Sequence, residues 1–164
     1  MPKTPGKPIR DSATEMVQVV LPNDTNIFGN ILGGRVMHWI DLVGAMVALR
    51  HSRKPVVTAS MERLDFHSPI RLGDLVILKA CLTYVGRTSM EVQVEVFSEE
   101  PLTGSRRHTS SAHLTYVAVD ASGTPIQIPP LVLNTDDEKE RYQEAERRRE
   151  RRNALKAGRE KRKQ

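Results

Sequence analysis

Apolar and polar residues alternate through much of the second half of the chain, with the period of a half-buried β-strand. The cleanest run extends from Met90 to Val96, where apolar residues alternate with Glu91, Gln93 and Glu95. Turn-forming residues separate the runs, and a short β-branched run precedes Pro22. The pattern predicts strands over 14–21, 56–66, 75–85, the run around 90–96, and 107–120. Within 75–85, the alternation assigns Val76, Leu78, Ala80, Leu82 and Tyr84 to one face.

Between the first two strands the period changes to that of a helix. Apolar residues recur at helical spacing in a stripe of Val36, Ile40, Val43 and Val47, and we expect this helix to end near His51, ahead of Pro55. The element order is then β-α-β-β-β-β. A helix this apolar needs cover on most of its surface, which a curved sheet and a partner molecule would provide. The predicted class is α+β.

The two ends of the chain differ from this middle part. Residues 1–12 are predicted to form a disordered arm, residues 13–133 a single domain, and residues 134–164 a C-terminal helix with a basic, partly disordered tail. Thr135 lies three residues before Glu138 and is predicted to cap a helix. Since the following segment is polar on nearly every face, we expect one or two turns near Tyr142 and then fraying.

The net charge of +5 belongs to the two ends. Residues 137–164 carry +5 and residues 1–10 carry +3, whereas residues 11–136 carry −3. A nucleic-acid site would combine a basic patch with aromatic residues on a folded face, but the tail has only Tyr142, so no nucleic-acid partner is expected. There is no apolar leader at the start and no apolar run of membrane-spanning length, so a soluble protein without stable membrane association is expected. The lone Cys81 excludes an intrachain disulfide and fits a cytoplasmic location.

A candidate hydrolytic site lies on the predicted helix. Gly33 and Gly34 lie at the N-terminus of this helix. The unpaired N–H groups there suit a carbonyl oxygen that becomes an oxyanion. Asp41 lies off the apolar stripe, among small residues, where a carboxylate needs a partner or a function. The alternative is that Asp41 is an ordinary polar residue on a solvent-exposed face of the helix. His51 is expected to close the helix with a partly positive ring.

The chain resembles the acyl-CoA thioesterases of the hotdog fold, in the group of bacterial single-domain enzymes and brain-type cytosolic hydrolases. The resemblance rests on an ordered set of short motifs between about residues 16 and 131. These are Pro22-Asn23-Asp24-Thr25-Asn26, Gly29-Asn30, Gly33-Gly34, Trp39-Ile40-Asp41, Arg50-His51, Val56-Val57-Thr58-Ala59-Ser60, Asp65-Phe66, Pro69, Gly73-Asp74, Gly86-Arg87-Thr88-Ser89-Met90 and Thr115-Tyr116-Val117-Ala118-Val119-Asp120.

The resemblance implies a hotdog fold, dimers joined edge to edge that assemble into homohexamers, and hydrolysis of acyl-CoA without a metal. No cofactor is expected, since coenzyme A is part of the substrate. It assigns the catalytic roles to Asn26 of one subunit and Asp41 of the other. Asp41 would act as general base or as nucleophile, and Gly34 would supply an oxyanion N–H. Asn26 has a second interpretation, as an Asx-turn residue that shapes its loop.

Further residues are candidates for substrate contact. Thr58 and Ser60 lie on a strand expected near the helix, although ordinary strand packing explains them nearly as well. Arg87, with the hydroxyls of Thr88 and Ser89, is the best candidate for the phosphates of CoA. Arg63, Arg106 and Arg107 are weaker candidates, as solvated surface charges.

Two other functions compete with hydrolysis. One is a non-catalytic hotdog module that binds acyl-CoA or a nucleotide, which would need neither Asn26 nor Asp41 facing a thioester. The other is a hotdog hydratase or dehydratase, which would pair its acid with a catalytic histidine that this chain does not match. The five histidines also lack metal-ligand spacing.

Overall fold

The computed structural model describes residues 4–162, which form a curved antiparallel main sheet with a helix on each face and a short two-stranded parallel sheet. The elements in chain order are β1 (Lys7–Pro8), β2 (Thr14–Val19), α1 (Gly33–Ser52), β3 (Val56–Glu62), β4 (Leu75–Val85), β5 (Ser89–Glu99), β6 (Arg106–Ala118), β7 (Leu131–Val132) and α2 (Asp136–Lys161). Five of the strands form the main sheet, in the order β2-β4-β5-β6-β3. The α+β class and the order of the long elements are therefore confirmed.

The inner face of the sheet packs against α1 and forms the core. The predicted stripe of Val36, Ile40, Val43 and Val47 is fully buried. Facing it are the alternating apolar residues of the three central strands, including Leu78, Val92, Val94 and Leu114. Because the strands twist and curve around α1, one helix occupies the whole concave face. The helix ends at Ser52, as expected.

Two β-bulges change the side of the sheet to which residues point. In β4, the register with β5 shifts between Leu82 and Tyr84, so that Tyr84 lies opposite Glu91 on the outer face. In β3, the register with β6 shifts between Thr58 and Ser60. The prediction that Tyr84 shares a face with Leu82 is therefore wrong, because simple alternation holds only up to the bulge.

The N-terminal segment has structure where the sequence predicts a disordered arm. Lys7 and Pro8 form β1, which pairs in parallel with β7, and Ile9 is buried. The Lys7 ammonium donates a hydrogen bond to the carbonyl oxygen of His51 at 2.7 Å, which supplies the cation that the α1 C-terminus favours. Residues 1–3 of the predicted arm lie outside the described residues.

The C-terminal helix α2 begins at the predicted cap and is much longer than expected. The Thr135 hydroxyl accepts the N–H of Glu138 at 3.1 Å, and the Glu138 carboxylate accepts the N–H of Thr135 at 3.3 Å. The helix then runs for 26 residues, rather than one or two turns. Residues 163–164 lie outside the described residues. No helix within residues 4–162 is long and apolar enough to cross a membrane.

The outer face of the sheet is covered by α2 through polar contacts. The Tyr142 ring packs against Tyr84 with 4.9 Å between centroids. The Arg148 guanidinium pairs with the buried Glu91 at 2.7 Å, and Arg152 pairs with Glu62. Long side chains from a polar helix therefore reach back to carboxylates on the sheet.

Candidate active site

The Asp41 carboxylate lies in the third turn of α1, partly buried beside β3 and β6. Its Oδ1 accepts a hydrogen bond from the Thr58 hydroxyl at 2.8 Å and another from the Tyr116 hydroxyl at 3.2 Å. Within residues 4–162, Oδ2 accepts no hydrogen bond. One oxygen is thus held by the protomer, and the other remains available for a reaction.

Tyr116 is a neighbour of Asp41 that the sequence did not reveal. It is fully buried on β6, and its hydroxyl also donates to the backbone oxygen of Asp41 at 2.8 Å. Burial, together with the charge of Asp41, raises the pKa of the Tyr116 hydroxyl, so it stays protonated and remains a donor. The only local sign of this contact is Gly44, three residues after Asp41 within an otherwise regular helix.

Asn26 lies in the exposed loop before α1 and shapes that loop. Its Oδ1 accepts the backbone N–H groups of Phe28 at 2.9 Å and Asn30 at 3.2 Å. The structural interpretation of Asn26 is therefore correct, and it leaves the side-chain NH2 group free of those contacts. A carboxamide held in this way can donate to a ligand oxygen, but its carbonyl is already occupied.

Asp24 anchors the same loop to α1, which the sequence did not single out. The buried Asp24 carboxylate accepts the N–H of Leu21 at 3.0 Å and pairs with Arg35, in the first turn of α1, at 2.9 Å. The backbone oxygen of Asp24 accepts the N–H of Leu32 at 2.8 Å. Asn26 and the start of α1 are therefore held as one unit.

Gly34 faces open space at the beginning of α1. A Cβ atom built there would meet nothing within 4 Å, whereas one at Gly33 would touch the Phe66 ring at 3.6 Å. The N–H groups at the start of an α-helix have no partner within the helix, which makes the Gly34 N–H a candidate donor to a ligand. Because α1 rises about 1.5 Å per residue, Gly34 lies about 10 Å along the axis from Asp41. One thioester carbonyl cannot contact both in the same protomer.

The structure separates the two strand residues predicted near the helix. Thr58 lies opposite Tyr116 and points to Asp41, so it contacts the catalytic candidate rather than open space. Ser60 lies opposite Thr115 after the bulge and therefore points to the outer face. The extra residue Ala59 reverses the alternation, so of these two residues only Thr58 faces the helix.

Arg87 and Thr88 lie in the tight turn between β4 and β5, and Ser89 is the first residue of β5. The Thr88 and Arg87 backbone oxygens accept N–H groups of Ala118 and Ile128, which fixes the turn, and the Arg87 side chain is exposed. The next residue, Met90, lies opposite Tyr116, which in turn lies opposite Thr58. With strands about 4.8 Å apart, the turn is at the same level of the sheet as Asp41.

Burial disfavours the charged forms of two other residues, His51 and Cys81. Burial lowers the pKa of His51, whose Nε2 lies 2.8 Å from the Pro129 carbonyl oxygen, so the expectation of a partly positive ring is wrong. Burial also raises the pKa of the Cys81 thiol, which disfavours the nucleophilic thiolate. Neither residue contributes to the Asp41 site.

A five-stranded antiparallel sheet wrapped around a helix that carries a carboxylate is the architecture of the hotdog-fold thioester hydrolases. Residues 28–105 match the Thioesterase superfamily. A Bacillus subtilis protein named as an acyl-CoA thioester hydrolase is 40% identical over 129 residues, covering 79% of this chain and 75% of the relative. The chain belongs to the acyl-CoA thioesterase family. It spans only 35% of the cytosolic acyl coenzyme A thioester hydrolase of Rattus norvegicus, which is 34% identical over 81% of this chain.

Solved structures agree with this assignment. The crystal structure of an apo hexameric acyl-CoA thioesterase superposes with a TM-score of 0.88 and 42% identity, covering 93% of this chain and 98% of the other. An acyl-CoA hydrolase of Staphylococcus aureus, in complex with butyryl coenzyme A and coenzyme A, gives a TM-score of 0.87 and 34% identity, covering 96% of each chain. Alanine variants of that enzyme replace an Asn, an Asp and a Thr that are spaced as Asn26, Asp41 and Thr58 are here.

Proposed function

We propose that this protein hydrolyses acyl-CoA thioesters to a free carboxylic acid and coenzyme A, at a site shared between two protomers. The observation that carries the proposal is the Asp41 carboxylate, with Oδ1 held by Thr58 and Oδ2 without a hydrogen-bond donor among the described residues 4–162. A pure binding module has no need of a fixed carboxylate at a thioester. The hydrolases named above and the spacing of the three variant residues in the Staphylococcus aureus enzyme support it.

The reaction follows from these groups. Asp41 takes a proton from water, and the hydroxide attacks the thioester carbon. The resulting oxyanion accepts hydrogen bonds from the N–H of Gly34 and the side-chain NH2 of Asn26. Collapse breaks the C–S bond, and the CoA thiolate takes the proton that Asp41 removed from water. In the alternative, Oδ2 attacks the carbon directly, the C–S bond breaks and releases the CoA thiolate, and water then hydrolyses the anhydride to the acid and the Asp41 carboxylate, with a proton passing to the thiolate. Both routes need the same free oxygen.

The shared site is supported by the distance between its parts. Asp41 and Gly34 are too far apart for one thioester, whereas Asp41 is adjacent to β3, an edge strand that pairs only with β6 in the described chain. A second protomer that adds its own β3 here would bring its loop toward Asp41. That loop carries Ile27 and Phe28, whose side chains are 94% and 79% exposed, as expected of apolar residues that an assembly covers.

The remaining assignments extend the same proposal. Arg87, Thr88 and Ser89 would bind the phosphates of CoA from the β4–β5 turn. The protein would be a cytoplasmic homohexamer, as a trimer of dimers, with no resident metal or cofactor, no nucleic-acid partner and no stable membrane association. Light scattering after size exclusion tests the assembly. A monomer that retains turnover would contradict the shared site.

A thiol-release assay tests the activity. Wild-type protein should release CoA from at least one acyl-CoA in a series of chain lengths, and Asp41→Asn should reduce kcat by about 100-fold or more, as loss of a general base does. Asp137→Asn, an exposed carboxylate paired with Arg141 on α2, is the matched control and should retain full turnover. Absence of turnover with every chain length would favour the binding module instead.

Mixed dimers test whether the site is shared. Asn26→Ala and Asp41→Ala subunits, each with its own tag, are co-expressed and the mixed dimer is purified. Each mixed dimer should contain one intact site and recover about half of the wild-type turnover. Mixed dimers as inactive as either parent would show that both residues act within one protomer.

A further inference from the structure

The Tyr116 hydroxyl makes two contacts with a single residue of α1. It lies 2.8 Å from the backbone oxygen of Asp41 and 3.2 Å from Oδ1 of the same residue. The ring is fully buried in the core beneath the helix, which leaves the hydroxyl little freedom to move. A donor that bridges the main chain and the side chain of one residue fixes the side-chain torsion of that residue.

Gly44 makes this approach possible. A Cβ atom at Gly44 would overlap the Tyr116 hydroxyl and would lie 3.1 Å from two carbons of its ring. Glycine is a poor residue for the interior of a helix, so its presence here needs a packing reason. The close passage of Tyr116 beneath the helix is that reason.

The second hydroxyl completes the arrangement around the carboxylate. Thr58 reaches the same Oδ1 from β3 at 2.8 Å, while Tyr116 reaches it from β6. Thr58 and Tyr116 lie directly opposite each other in the sheet, so their hydroxyls are set by the strand register. Oδ1 is therefore held from two strands, whereas Oδ2 accepts no hydrogen bond within residues 4–162.

We infer that Tyr116 is a positioning residue for the hydrolysis, which holds the Asp41 carboxylate, together with Thr58, so that Oδ2 meets the water or the thioester. The inference rests on the proposed catalytic role of Asp41. Tyr116 does not touch the substrate, and its contribution therefore falls on kcat rather than on substrate binding. Misalignment of a reacting group by a fraction of a bond length lowers the rate steeply.

The test uses the full-length protein and two variants. Tyr116→Phe keeps the buried ring and removes only the hydroxyl, and it should lower kcat about tenfold with KM for acyl-CoA unchanged. Gly44→Ala keeps the hydroxyl but displaces it, and should lower kcat in the same way. Tyr84→Phe is the matched control, because that hydroxyl contacts Arg149 on the outer face, and its kcat should equal that of the wild type.

A double-variant comparison separates positioning from general support of the fold. In an Asp41→Asn background, Tyr116→Phe should cause no further loss of the residual turnover, since the carboxylate that it positions is gone. An equal loss in both backgrounds, or full kcat in Tyr116→Phe, would overturn the inference and leave the proposed function standing. Full turnover in Asp41→Asn alone would overturn both.

Discussion

The two helices pack on opposite faces of one sheet by different physical means. The inner helix α1 buries a stripe of valine and isoleucine in the core, and its cover is apolar. The outer helix α2 buries only Ala145 completely, and its contacts to the sheet are arginine–carboxylate pairs and a tilted pair of tyrosine rings. Hydrophobic burial is non-directional and close to proportional to area, whereas a buried ion pair depends on both partners.

This contrast also separates the roles of the two faces. The inner face holds Asp41 by hydroxyl donors from two strands, the buried Tyr116 and the exposed Thr58. On the outer face, carboxylates of β3 and β5 serve as partners for α2. The same alternation of residues along each strand therefore supplies a rigid site on one side and a polar docking surface on the other.

The largest effect on stability is expected from the apolar face. Ile40→Ala removes a fully buried side chain of α1 and should cost about 4 kcal/mol of the free energy of unfolding, from lost burial and the cavity left behind. Urea denaturation at fixed protein concentration measures it. The matched truncation on α2 is Leu155→Ala, where the side chain is 68% exposed, and it should cost less than about 0.5 kcal/mol. If the two substitutions lowered the free energy of unfolding equally, the two helices would not differ in how they are held to the sheet.

A smaller loss is expected when one ion-pair partner is removed from the outer face. Arg148→Met leaves the buried Glu91 carboxylate without its cation and should cost about 3 kcal/mol, softened by the Thr83 hydroxyl that also reaches Glu91 at 2.7 Å. The double variant Glu91→Leu with Arg148→Met should return to within about 1 kcal/mol of the wild type in the same urea measurement. A double variant as unstable as Arg148→Met would show that α2 depends on the pair itself.

The apolar periods explain which parts of the fold the sequence could predict. The stripe around Ile40 and the alternation around Val94 identified α1 and the long strands, although the strand predicted over 56–66 ends at Glu62. These patterns arise because one face of each element is buried. The alternation was broken at β-bulges, where Ser60 and Tyr84 change faces without any local sequence signal.

The candidate site was predictable to a similar extent. Asp41 and Thr58 were identified separately as candidates. Their contact depends on the pairing of β3, which carries Thr58, with β6, a strand that lies far from both residues in the sequence. The same strand pairing places Tyr116 beside Asp41, so this contact could not be predicted from the sequence either. Only Gly44 gave a local hint, and its meaning required knowing which side chain passes beneath it.

The smallest effect is expected at the end of α2. From Asn153 to Arg162 every residue is exposed, so this segment contributes little burial, although it remains helical to Lys161. Removing residues 153–164 should change the free energy of unfolding by less than about 0.5 kcal/mol while lowering the far-ultraviolet helical signal. The matched deletion of residues 148–164 also removes Arg148 and Arg152, and it should destabilise the protein as Arg148→Met does. A large loss from the shorter deletion would mean that the exposed turns of α2 contact another protomer.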